Sequence, residues 1–324
     1  MSHAARLRKS PSTFRSLTGI SPEAFDALLA ELEPRYAAEE ARRKDRPGRK
    51  RKPGAGPKRT LSLGDRLLML LMYYRTYATH ALLGFLFGID QSSVCRNVNP
   101  LQPLLAGIFR IPERRVRLEQ GEIEELFFDA TERQVCRPKR GQKAYYSGKK
   151  KRHTVKHQVV SVRRRKKPGP CPGPCPGTGP GTGPGTRPAG PAAGAGAAAA
   201  EPRKVHRPRK VRVAAVSPMF PGKTHDKKVY DRTRVVAPPG VARCGDTAYI
   251  GTPLRVPHRG PPKGELTPRQ KRSNRRLARR RIVAEHAIGK MKIWRIAADK
   301  YRNPKRRHTL ILKNVAGLHN LMFS

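Results

Sequence analysis

Asp129, Asp246 and Glu285 are the residues of this chain best suited to do chemistry. Asp129 closes the apolar run Phe127-Phe128-Asp129-Ala130-Thr131, and Asp246 sits in Cys244-Gly245-Asp246-Thr247-Ala248-Tyr249. Glu285 lies in Arg281-Ile282-Val283-Ala284-Glu285, on a basic helical stretch that continues to Lys292. Lone carboxylates at the ends of strand-like apolar runs are natural ligands for a hard cation. Magnesium takes oxygen donors and keeps several waters, so three protein carboxylates suffice. Two such ions about 3.5–4 Å apart stabilise both the attacking and the leaving oxygen of an in-line displacement at phosphorus. The chemistry indicated is metal-dependent phosphoryl transfer on nucleic acid. Each acid alone has a plainer reading: Asp129 as a strand-end turn residue, Asp246 as a turn residue beside Gly245, Glu285 as the intrahelical partner of Arg281. The three together in this order favour the site.

The charge balance points the same way. The 324 residues hold 70 Lys plus Arg against 23 Asp plus Glu, a formal net charge of +47. A chain this basic implies a polyanionic partner, because neutralising phosphates releases condensed counterions and gives salt-sensitive affinity for DNA or RNA. The longest apolar run, Leu67 to Tyr74, is too short to span a bilayer, and residues 1–10 lack the apolar segment of a signal peptide. The expectation is a soluble intracellular protein with no membrane partner. The length suggests about two domains. Five scattered cysteines suit reduced thiols, and the close pair Cys171 and Cys175 lies in Pro/Gly sequence without a second pair at zinc-site spacing.

Around these residues the chain divides by composition. Residues 168–200 are built almost wholly from Pro, Gly, Thr and Ala, flanked by basic runs, and cannot bury a core. The segment from about 163 to 210 therefore reads as a disordered insertion. Residues 163–212 carry twelve Lys/Arg and one acid, so about +36 belongs to the rest of the chain. Both flanks, residues 153–162 and 211–216, are β-branched, and the insertion reads as an expanded loop between neighbouring strands. A second Gly-containing basic piece, residues 42–59, reads as a linker.

Ser21-Pro22-Glu23 starts a helix with Phe25, Leu28, Leu29 and Leu32 on one face. An apolar helix is expected over 62–77, then a short helix from Thr79 through Phe87, a turn at Gly88-Ile89-Asp90, and another helix over Gln91–Val98. This is helix-turn-helix spacing. Ser92, Ser93, Arg96 and Asn97 would then face base edges or phosphates, while Val94 and Val98 pack inward. The plainer alternative is an ordinary helical hairpin. Downstream, strands are expected at 123–128, on both sides of the insertion and at 241–245, with a helix opening at Thr224-His225-Asp226. A long final helix begins with the capping box Thr267-Pro268-Arg269-Gln270. At 100° per residue, Arg281, Glu285 and Lys292 fall within about 40° of one another, beside an apolar stripe of Leu277, Ala284, Ile288 and Met291. Strands mixed with helices predict an α/β sheet with helices packed on it. Asp226, in the first turn of its helix, is the rival acid and reads as structural.

These residues resemble a family. Phe128-Asp129-Ala130-Thr131-Glu132, Pro221-Gly222-Lys223-Thr224-His225-Asp226 and Gly245-Asp246-Thr247-Ala248-Tyr249-Ile250-Gly251 are similar to three segments of the DDE transposases of bacterial insertion sequences, in the branch related to Harbinger-type transposases. Arg281, Glu285 and Lys292 match the R, E and K of its Y-x2-R-x3-E-x6-K signature, with Ala278 where the signature has Tyr. Residues 82–94 resemble the same group's N-terminal helix-turn-helix. The resemblance implies a ribonuclease-H-like mixed sheet with flanking helices, preceded by an all-α helix-turn-helix domain. The implied division is residues 1–60, a helix and basic linker; 61–118, the DNA-binding domain; and 119–324, the catalytic domain. It further implies that Asp129, Asp246 and Glu285 are catalytic and bind two Mg2+ ions, with Mn2+ as an alternative. Ser92, Ser93, Arg96, Asn97, Arg281 and Lys292 would contact DNA. Terminal inverted repeats and target DNA are the implied partners, with a homo-oligomer on DNA and a cytoplasmic, nucleoid-associated location in a bacterium. Two alternatives stay open: an inactive or domesticated relative that binds without cutting, and a ribonuclease-H-like nuclease without strand transfer.

Overall fold

The computed structural model describes residues 2–45, 60–118, 123–164, 211–262 and 264–322. The expected insertion, apart from its first two residues, and residues 46–59 of the expected linker lie outside them.

The first half is helical: α1 (His3–Arg8), α2 (Pro11–Thr18), α3 (Pro22–Lys44), α4 (Leu63–Thr76), α5 (His80–Phe87) and α6 (Gln91–Phe109). Ser21 caps α3 by accepting from Ala24 N–H, with Pro22 in the first turn, as its sequence signals. Along α4 every residue from Asp65 to Tyr74 is buried, which accounts for its unbroken apolar run. Thr79 caps α5 and Asp90 caps α6, with Gly88 at φ +64° between them. Gly84 is required by close approach, since a Cβ there would meet the Ile89 carbonyl oxygen at 2.5 Å. The second helix of this pair runs to Phe109 rather than ending at Val98. Pro100 and Pro103 lie inside it, and Leu101 and Leu105 bury on the same side as Val94 and Val98. Tertiary burial outweighs the local cost of proline here.

The second half holds β1 (Ile123–Gln134), α7 (Gln142–Tyr145), β2 (Tyr146–Ser147), β3 (Arg152–Arg164), β4 (Val211–Val216), β5 (Phe220–Pro221), α8 (Asp226–Thr233), β6 (Ala242–Cys244), α9 (Pro268–Met291), α10 (Arg295–Ala298) and α11 (His308–Leu321). β1 pairs antiparallel with β3, β3 antiparallel with β4, and β6 lies parallel on the other side of β1. This is the anticipated mixed sheet with flanking helices. The strands on either side of the expected insertion do pair with each other, Val159 opposite Val216 and Val162 opposite Arg212.

β1 outlasts its expected end at Phe128. It stays paired with β3 as far as Gln134 opposite Thr154, so Asp129 lies in mid-strand rather than at a strand end. Leu126, Phe127 and Phe128 are buried in succession because both faces of β1 are covered. Phe127 packs with Cys244 and Ala284, whereas Phe128 packs with Val160, Tyr230 and Tyr249. The N-terminal helices share a continuous core with α10 and α11. Within it Trp294 is fully buried and donates from its indole nitrogen to the Thr18 carbonyl (3.2 Å). Among the described residues no helix is long and apolar enough to cross a membrane.

Candidate active site and nucleic-acid interface

Three elements deliver the three acids to one small apolar cluster. Phe127 of β1 and Cys244 of β6 are directly paired in parallel register, and Ala284 of α9 packs on both, with Leu277 alongside. Asp129 is two residues beyond Phe127, Asp246 two beyond Cys244, and Glu285 is next to Ala284. Adjacent strands run about 4.8 Å apart and side chains return to the same face every second residue. The pairing therefore carries Asp129 and Asp246 out of the cluster side by side. α9 forms because Thr267 and Gln270 make the expected capping box, and Ala284, Ile288 and Met291 bury its inner face.

β6 ends at Cys244, and Asp246 accepts the Ala248 N–H (3.0 Å), which turns the chain into a single helical turn over Thr247–Tyr249. Gly245 permits the turn, since a Cβ there would meet Leu254 Cδ1 at 2.9 Å. Among the described residues, Asp129 accepts only the N–H of its neighbour Ala130 (2.9 Å). Its pKa is pushed up to about 6, chiefly by burial, with Asp246 and Glu285 adding to the rise and the Ala130 N–H and Arg281 opposing it. Asp246, Glu285 and Arg281 are thus within electrostatic reach of Asp129. Glu285 is solvent-exposed and no ion pair joins it to Arg281, so the intrahelical-partner reading fails. Lys292 forms the C-cap of α9, two turns beyond Glu285, and has no ion pair with any of the three acids.

The donor set fits a hard divalent cation. All donors are carboxylate oxygens, and burial disfavours the charge on Asp129, a cost that a bound cation would offset. Among the described residues no three His, Cys, Asp or Glu side chains are already drawn into a metal-ligating cluster.

Asp226 is accounted for structurally. It stands in the first turn of α8, 2.8 Å from Lys156 Nζ, and that ammonium also donates to the Thr224 carbonyl (2.9 Å). Two features went unread in the sequence. Tyr249 is fully buried with no partner for its hydroxyl among the described residues, and its pKa is raised by burial first and then by Asp226, Asp129 and Asp246. Glu125, also buried, pairs with Arg163 and Arg280. A charge inside an apolar strand was the available signal for Glu125; nothing local marked Tyr249.

On α6 the outward residues are already engaged with one another. The Ser92 and Ser93 hydroxyls donate to the Asp90 carboxylate at 2.5 and 2.6 Å. Asn97 Nδ2 donates to the Ser93 carbonyl (2.8 Å), and Arg96 bonds back to Ser92. Val94 and Val98 are buried as expected. A DNA contact by these four would replace local bonds.

Residues 59–110 match the family model described as the helix-turn-helix of DDE superfamily endonuclease, and residues 206–320 match DDE superfamily endonuclease. The second match includes Asp246 and Glu285 and begins after Asp129. The chain is 28% identical over 320 residues to a probable transposase for insertion sequence element IS702 from Microchaete diplosiphon, covering 95% of this chain and 93% of the relative. It is 25% identical over 315 residues to a putative transposase for insertion sequence element IS112 from Streptomyces albus G, covering 96% and 95%. No solved structure matches the chain. Such a domain pair implies DNA as partner and dependence on a divalent metal.

Proposed function

We propose that this DDE-type transposase, a helix-turn-helix followed by a DDE endonuclease domain, uses Asp129, Asp246 and Glu285 to hold two Mg2+ ions on a ribonuclease-H-like core. The observation that carries the reading is the shared cluster of Phe127, Cys244 and Ala284, beside which stand Asp129 on β1, Asp246 in the turn after β6 and Glu285 on α9. When bound, the ions would supply activation of water and then of a freed 3′-hydroxyl, and charge stabilisation at the attacking and leaving oxygens.

The chain's own residues do the rest. Arg281, close enough to Asp129 to lower its pKa, would hold a non-bridging phosphate oxygen beside the acids. Lys292 would contact the same DNA farther along the helix. Ser92, Ser93, Arg96 and Asn97 would read terminal inverted repeats from the exposed side of α6. Cleavage at the element's ends followed by attack on target DNA requires two ends and a target together, which suits a homo-oligomer on DNA. A cytoplasmic, nucleoid-associated location belongs to the same proposal.

The second reading, a protein that binds DNA without cutting it, draws on Ala278 in place of the signature Tyr and on the absence of a ready-made cluster of metal ligands among the described residues. One experiment separates the two. Asp129→Ala, Asp246→Ala and Glu285→Ala should each abolish Mg2+-dependent cleavage of end-bearing DNA while leaving binding largely intact. Near wild-type cleavage by any of the three would remove that residue from the site. A wild-type chain that binds but never cuts would favour the second reading.

A further inference from the structure

Between the segment that leaves α6 and the end of α8 lies a cavity of about 500 Å3, lined by Arg114, Arg115, Phe220, Asp231, Arg232 and Arg234. Its two walls are joined through the main chain. Arg115 N–H donates to the Thr233 carbonyl (3.0 Å), Val236 N–H to Val116 (2.8 Å) and Leu118 N–H to Val236 (3.2 Å). The arginines thus project from a fixed frame. Four guanidinium groups face one carboxylate, a surplus of three positive charges. None of the four is in an ion pair or side-chain hydrogen bond with a described residue. By contrast, the buried Arg163 and Arg133 have Glu125 and the Asp299 carbonyl as partners.

A second observation does not depend on charge. Arg115 and Arg234 both adopt left-handed backbone conformations, φ +50° and +51°. Arg234 is the C-cap of α8, where glycine is the usual left-handed residue because it has no Cβ. Two arginines held in this costly conformation, one on each wall of the same cavity, are the kind of outlier from which function is inferred. Each guanidinium offers a planar fork of donors that matches phosphate oxygens.

We propose that this cavity is a second DNA-backbone site, which grips phosphates of the DNA whose scissile bond lies at the three acids. α8 ties the cavity to the acids. Arg232 stands in its last turn, and Tyr230 of the same helix meets Tyr249, three residues beyond Asp246, with ring centroids 6.2 Å apart. The site rests on the DNA reading of the preceding subsection, but not on which carboxylates are catalytic.

The test uses the full chain and a short duplex of mixed sequence, without divalent ions, in a salt titration. Arg115→Gly/Arg234→Gly should melt at a higher temperature, because glycine relieves both left-handed positions. It should also bind DNA more weakly, with the slope of log K against log salt shallower by about 0.9 for each phosphate no longer neutralised. Gain of stability with loss of affinity is the signature expected of strain kept for binding. Arg114→Ala/Arg232→Ala, on ordinary backbone, should show the same loss of affinity and slope. Arg6→Ala/Lys9→Ala removes equal charge from α1 and its C-cap and should change both less. Unchanged affinity and slope in both cavity variants would overturn the proposal, as would a loss equal to that of the α1 control. If inorganic pyrophosphate binding, and not duplex binding, falls in the cavity variants, the cavity takes free phosphate and the DNA assignment is wrong. A wild-type chain that bound no duplex would overturn the DNA reading itself. A cavity variant that bound weakly while Asp129→Ala still cut would overturn only the assignment of the acids.

Discussion

Glu125 and Arg163, directly opposite each other on β1 and β3, meet at 2.6 Å with side chains only 3% and 9% exposed. Arg280 of α9 reaches the other Glu125 oxygen at 3.2 Å, and Arg163 donates to the Arg280 carbonyl (3.3 Å). Arg280 precedes Arg281 by one residue and Glu285 by five, so this clasp sets how far α9 has slid along β1 and which turn of it faces Asp129.

Glu125→Ala should therefore act on both stability and site geometry. It leaves the Arg163 charge buried without its partner, a loss on the order of 3–5 kcal/mol. Thermal unfolding should show the drop. Metal-dependent cleavage measured well below the lowered melting temperature should still be impaired, with DNA affinity near wild type. Full cleavage in the folded variant would mean that the apolar cluster alone sets the register of α9.

Asp226→Asn separates the rival acid from the catalytic set. The Lys156 pair is partly buried, 14% and 16% exposed, so its loss should cost about 1–3 kcal/mol, between the surface and the buried cases. Cleavage should persist in the folded variant, unlike that of Asp129→Ala. Complete loss of cleavage with normal stability would move Asp226 into the active site.

The buried pair His157 and His308 predicts an acid-side loss of stability. His157 Nδ1 meets the Ser217 carbonyl at 2.8 Å and its Nε2 meets His308 Nδ1 at 2.8 Å, an arrangement of two neutral rings. Burial lowers both pKa values, that of His157 to about 4; the Ser217 carbonyl and then Glu113 favour charge on His157, His157 opposes it on His308, and Arg133 opposes it on both. Between about pH 6.5 and 4 the unfolded chain binds protons that the folded chain refuses, so stability falls as pH falls. One such histidine contributes up to about 1.4 kcal/mol per pH unit. Replacing His308 by Phe should flatten the melting temperature against pH in that window. An unchanged slope would show that other groups carry it.

On α6, Asp90→Ala removes the cap and the anchor of both serine hydroxyls and should lower the melting temperature. Arg96→Ala and Asn97→Ala should instead leave stability nearly unchanged and reduce preference for terminal-repeat over scrambled duplex, by about 1–3 kcal/mol if either contacts a base in bidentate fashion. Equal binding of both duplexes by the wild-type chain would remove the readout role from this helix.

Local chemistry made much of this protein legible from its residues. Caps and turn glycines placed the starts of α3, α5, α6 and α9, an apolar run placed α4, and β-branched runs placed the strands flanking residues 165–210, because these signals act within a few residues. The three acids stood out because isolated carboxylates are scarce in a chain of net charge +47. Tertiary structure decided what depends on partners distant in sequence. β1 runs past Phe128 because β3 continues to pair with it, and α6 runs through Pro100 and Pro103 because Leu101 and Leu105 find a core. Asp129 acquires its raised pKa only where the fold buries it, with Asp246 and Glu285 adding to the rise. The Glu125 clasp, the buried Tyr249 hydroxyl and the arginine-lined cavity also arise only in the folded chain, since each joins groups that no local spacing relates.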